Sequence, residues 1–182
     1  MMEFFRKGKA MTIRSSIEQA TKSVMGAIVP GTEPSTDILD TLHAEHVEVR
    51  ELLKELNDSE KAAEQTALVA KIKRALIPHS KAEERVVYDR VAVLKGEKPK
   101  IESAEGYSEH ALASATLKSL DTLEPNTAEF KANAKVLKEL LDHHIKEEER
   151  SIWSDVQENF SDEQRKQMSS EFLAAKKTIK VA

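Results

Sequence analysis

Six residues able to bind a metal stand where helical periodicity calls for Leu or Val: His46, His79, Glu83, His110, His144 and Glu148. Each falls on the apolar stripe of a predicted helix. Burying one ionised carboxylate costs several kcal/mol unless it is paired or bound to a cation. Neutral imidazoles and carboxylates facing one core are therefore a donor set for a divalent cation. His79 with Glu83 and His144 with Glu148 are each spaced i,i+4, so each pair shares a helix face and can reach one cavity. The alternative is a metal-free network of His–Glu pairs, which needs every partner satisfied.

The pattern repeats within the chain. Setting His79 on His144 superposes His79-Ser-Lys-Ala-Glu-Glu-Arg on His144-Ile-Lys-Glu-Glu-Glu-Arg, and pairs Tyr88 with Trp153. Setting His46 on His110 pairs Glu45 with Glu109, Leu53 with Leu117 and Leu56 with Leu120. Each half supplies a His, then His-x-x-x-Glu. Two matching halves predict two metals, with Glu83 and Glu148 placed to bridge them.

Around these six lie further candidates. His43, one turn before His46, either faces the site or lies beside it; His143 should point about 100° away from His144. Glu84 and Glu149 read as solvated groups or as acceptors that fix imidazole tautomers. Glu45 and Glu109 are expected to be exposed and out of reach of the site. Tyr88 and Trp153 read as packing at a bundle end, with a redox or gating role as the alternative. Tyr107, one turn before His110, is the visible candidate for a proton donor. Pro78 should kink or restart its helix.

The elements that must hold these residues are helices. Scarce Gly and Pro, five each, argue for long helices over short strands. Periodic segments are predicted over about 35–56, 64–94, 107–123 and 127–159, with a loop over 95–105. Alternating spacings of three and four with short connections predict an all-α, antiparallel up-down four-helix bundle. Ser161 and Gln164 form a capping box for a C-terminal helix carrying Met168 and Phe172. An N-terminal amphipathic stretch, Ile13, Ile17, Ala20, Val24 and Ile28, predicts an extra helix packed on the body or on a partner chain, with a membrane-surface helix as the alternative. The expected divisions are an extension at 1–34, the metal-binding bundle at 35–160 and the C-terminal helix at 161–182.

Composition narrows the chemistry. The 182 residues contain no cysteine, which excludes Cys-ligated zinc, iron–sulfur clusters and thiol nucleophiles. A net charge of -4 with no basic stripe gives no reason to expect nucleic acid. No apolar run approaches a membrane span, and the start lacks the apolar core of a secretory signal, so a cytoplasmic protein is expected.

The order His, His-x-x-x-Glu, His, His-x-x-x-Glu resembles the hemerythrin-like family of HHE cation-binding domains, over about Thr36 to Phe160. The resemblance implies a non-haem di-iron centre with an oxo or hydroxo bridge, held by His46, His79, Glu83, His110, His144 and Glu148; zinc or manganese are alternative occupants. It implies oxygen, nitric oxide or peroxide as ligand, in sensing or stress response. A metal-dependent sensor or interaction module without turnover is the alternative, and a homo-oligomer or protein partner could join through the N-terminal helix. The chain departs from the oxygen-carrying members at Ser114, where those have a second His, and at Glu148, four rather than five residues after the last His. His43 or Glu84 are the candidates to complete the ligand set.

Overall fold

A computed structural model describes residues 36–181, and all regular structure in it is helical. The expected N-terminal extension and its helix lie outside the described residues. The helices are α1 (Ile38–Asp58), α2 (Ala62–Glu83), a π-helical turn (Glu84–Tyr88) leading into the short α3 (Asp89–Val91), α4 (Lys98–Leu120), α5 (Ala128–Arg150), α6 (Ile152–Asn159) and α7 (Asp162–Thr178).

Local chemistry sets several boundaries. Asp37 caps α1, its Oδ1 accepting from the Leu39 N–H at 2.9 Å. Thr127 caps α5 through the Phe130 N–H. The expected capping box of Ser161 and Gln164 opens α7. Asn126, at φ 69°, turns the chain between α4 and α5 and donates its N–H to the buried Gln65. Gln65 in turn donates to the Ser59 carbonyl, tying two connections together.

Three expectations are corrected. The 95–105 segment is not a loop, because α4 begins at Lys98. Pro99 sits in its first turn, where a missing N–H costs nothing. The buried face there is made by the small residues Ser103 and Gly106, which carry no apolar signal. Pro78 does not restart a helix, since α2 runs through it to Glu83. The 127–159 segment is two helices, broken at Ser151, whose backbone lies at φ -110°, ψ -62°.

α1 packs on α2, α5 and α7; α4 packs on α5 and α2; α7 also packs on α2. Two apolar clusters result. One joins Val49, Leu53, Ile72, Leu76, Leu117, Leu137 and Leu141. The other joins Leu42, Ala82, Val87, Tyr88, Ile152, Val156 and Phe172. Along α1 the passage from one to the other crosses His46, along α2 it crosses His79, and along α5 it crosses His144 and Glu148. The six polar residues thus form a layer between two apolar layers. α7 closes one side: Phe172 is fully buried with its ring edge-on to His79 at 5.7 Å, and Arg165 binds Asp37 at 2.6 Å. Phe172→Ala should lower stability by about 3–5 kcal/mol in a denaturant titration, and a loss under 1 kcal/mol would mean that α7 is not docked.

Candidate metal centre

All six predicted residues are buried, none more than 4% exposed. Their donor atoms fall into two overlapping groups. His46, His79 and Glu83 form one, and Glu83, His110 and His144 the other, each within 4.8 Å. Glu83 Oε2 lies 3.3 Å from His79 Nε2 and 3.6 Å from His110 Nε2. Glu148 Oε2 lies 3.5 Å from His46 Nε2 and 3.7 Å from His144 Nε2. Each carboxylate therefore spans one imidazole of each group, which is the bridging placement that the repeat predicts.

A ring of outer carboxylates orients the imidazoles. Nδ1 of His46 meets Glu149 at 3.0 Å, Nδ1 of His79 meets Glu45 at 3.0 Å, Nδ1 of His110 meets Glu84 at 3.3 Å, and Nδ1 of His144 meets Glu109 at 2.7 Å. An ionised carboxylate only accepts, so each Nδ1 carries the proton, and when the imidazole is neutral its Nε2 presents a lone pair to the interior. This corrects the expectation for Glu45 and Glu109, which reach across to the histidine of a neighbouring helix. The signal was in the repeat: a Glu stands directly before His46 and again before His110. Lys176 from α7 pairs with Glu45 and holds it in place.

The remaining candidates sort by position. Glu84 and Glu149 are the imidazole-orienting acceptors. His43 is exposed, 3.4 Å from Glu149 and outside the layer; His143 is exposed beside Glu109. Tyr107 donates to Asp89 at 2.6 Å and to the Glu84 carbonyl, away from the centre. The aromatics expected at a bundle end lie against the ligands instead. Tyr88 stacks on His110 at 5.3 Å and Trp153 on His46 at 5.8 Å, both with 15° between planes. In an unbroken α-helix a residue five positions after Glu83 would point about 140° away. The π turn over 84–88 wraps Tyr88 back over the site, and the break at Ser151 does the same for Trp153.

Among the protein groups alone, His79 and Glu83 favour each other's charged forms, while His46 and Glu148 are held from theirs. Burial alone would lower His79, yet the Glu83 and Glu45 carboxylates hold it up at about 10. Burial holds His46 down at about 4. Burial would raise Glu83, but the His79, His110 and His46 imidazoles pull it well below its usual range. Burial and the negative Glu83 push Glu148 far up. Both oxygens of Glu83 and of Glu148 lack any hydrogen-bonding partner in the protein, as does the Tyr88 hydroxyl. His110 Nε2 and His144 Nε2 face one another at 3.0 Å, two lone pairs with no proton between them once each Nδ1 donates outward. Two nitrogens bound at right angles to one ion at about 2.1 Å lie about 3.0 Å apart. The donor set therefore fits cations and is poorly satisfied without them.

Among the described residues three cavities adjoin the layer, the smallest, of about 10 Å³, lying against His46, His79 and His144. A second, of about 20 Å³, is bounded by Leu76, Ser80, His110, Ser114 and Leu117, so the residue standing where oxygen carriers have a second His leaves a water-sized space. The third, of about 100 Å³, is bounded by Tyr88, His144 and Glu148 within and by glutamates outside.

A family profile described as the hemerythrin HHE cation binding domain matches residues 37–153. A curated relative named DNA nickase, from Nostoc sp. (strain PCC 7120), is 28% identical over 168 residues. That match covers 92% of this chain and 47% of the relative, so the chain spans about half the relative's length. No solved structure matches it significantly.

Gly106 makes room for Tyr88: a Cβ there would lie 2.6–2.8 Å from the Tyr88 ring and hydroxyl. Gly106→Ala should cost about 1–3 kcal/mol in chemical denaturation, and adding Tyr88→Leu should recover part of it. Additive losses would show that the two residues are not in contact.

Proposed function

The chain belongs to the hemerythrin HHE cation-binding family, and from that premise we propose a non-haem di-iron protein that binds a small diatomic or peroxide. Its body on this reading is an antiparallel up-down bundle of α1, α2, α4 and α5, supported by short connections and by the pairing of these helices. His46 and His79 would hold one iron, His110 and His144 the other, with Glu83 and Glu148 bridging. The observation that carries the proposal is Glu83, buried, without a hydrogen-bond partner and shared by two histidine pairs. A metal pair would supply open coordination positions for oxygen, nitric oxide or hydrogen peroxide, in sensing or a stress response.

The protein's own part is orientation and exclusion. Glu149, Glu45, Glu84 and Glu109 fix the four imidazoles with Nε2 inward. The apolar layers on either side limit water, and the space beside Ser114 suits a ligand of two or three atoms. Zinc or manganese would fit the same donors, and zinc outcompetes ferrous iron at generic nitrogen–oxygen sites.

A second reading is a metal-dependent sensor or partner-binding module without turnover. The tie from α7 to the site through Lys176 and Glu45 favours it, since loading could change how firmly α7 docks. Nucleic acid enters only through the relative's name. The acidic lining of the larger cavity, Glu102, Glu105, Glu109 and Glu147, opposes a phosphodiester backbone there.

Protein purified from iron-supplemented cells should contain about two irons per chain and show an oxo-bridge charge-transfer band; metal-free protein with an unchanged fold would sink the proposal. Iron at 100 times its dissociation constant should stabilise the chain by about 2.7 kcal/mol. Glu148→Gln should keep the thermal midpoint of the metal-free chain while most of that iron-dependent gain disappears.

A further inference from the structure

We propose that the larger cavity is the route by which cations reach the buried layer, with Glu105, Glu109 and His143 as the surface site that first captures them. The inference rests on the metal-centre reading and adds to it a place of entry.

The surface cluster spans two helices. Glu105 and Glu109 are one turn apart on α4, and His143 faces them from α5; their donor atoms lie within 4.8 Å of one another. Glu105 and His143 are exposed, and Glu109 is half-buried. Glu109 faces both ways: one oxygen lies 3.7 Å from His143 Nε2, and the other is 2.7 Å from Nδ1 of the buried His144. The same carboxylate thus belongs to the surface cluster and to the ring that orients the interior imidazoles.

An acidic cluster on a surface is common and by itself carries little. Here it borders a cavity of about 100 Å³ whose inner wall contains His144 and Glu148. Glu148 is 3% exposed, and both of its carboxylate oxygens lack a hydrogen-bond partner. The cavity therefore joins the exposed Glu105 and half-buried Glu109 to a buried carboxylate without a hydrogen bond. Glu102 and Glu147 also line it, each paired with a cation, Lys98 and Arg150 respectively. Glu105 and Glu109 leave the cleft net negative, and such a cleft raises local cation concentration and association rates, by roughly 10- to 1,000-fold where the lining is of one sign. The small cavity beside Ser114 has Lys81 on its wall, apolar neighbours and no carboxylate, so it does not suit a cation.

Cobalt(II) uptake by the metal-free full-length chain, followed by visible absorbance, tests the route. Glu105→Lys should slow uptake by at least tenfold, with two cobalt ions per chain still bound at equilibrium. Glu105→Gln should slow it less, and Glu51→Gln, an exposed change of equal charge outside the cavity, should leave it unaltered. Added salt should slow the unaltered chain more than the Glu105→Lys chain. Full loading at the same rate in Glu105→Lys would overturn the route alone. Failure of the unaltered chain to bind cobalt would overturn the metal-centre reading, and the route with it.

Discussion

The structure is organised around the cost of placing two carboxylates and four imidazoles in one buried layer. Apolar packing on either side removes the water that would otherwise solvate them. The protein answers half of this cost itself, through one outer carboxylate for each imidazole. The inner half is left open: the Glu83 and Glu148 oxygens have no hydrogen-bond partner in the protein, and the Nε2 atoms of His110 and His144 face each other at 3.0 Å. A fold whose only task was stability would fill such a layer with apolar residues, as it fills the two layers on either side.

The internal repeat explains how one set of contacts is built twice. Glu45 and Glu109 orient the histidines of the two His-x-x-x-Glu motifs, and Glu84 and Glu149 orient the two that stand alone. In every case the acceptor and the imidazole come from different helices. Docking of the helices and alignment of the donors are therefore one event. α7 joins this arrangement through Phe172 on His79 and Lys176 on Glu45, so the C-terminal helix contacts the layer without placing a donor in it.

The two helices that carry a His-x-x-x-Glu motif each change register just after it. The π turn at 84–88 and the break at Ser151 bring Tyr88 and Trp153 over His110 and His46. A straight helix would carry both rings away from the layer. Gly106 supplies the complementary space on α4, where even a methyl group would meet the tyrosine.

By itself, the sequence determined the helical class, the capping box at Ser161, and the burial of the six inward residues. These follow from local periodicity and side-chain chemistry, and the repeat already set Glu83 and Glu148 in equivalent places in the two halves. Only the tertiary structure decided the roles of Glu45 and Glu109, which look exposed on their own helix and become acceptors only when the neighbouring helix is laid beside them. It also decided that α4 starts at Lys98, because Ser103 and Gly106 are buried for their small size rather than their hydrophobicity. The places of Tyr88 and Trp153 were hidden for a third reason. They depend on a change of helical register, and residue spacing read at 3.6 per turn cannot register a turn that closes one residue later.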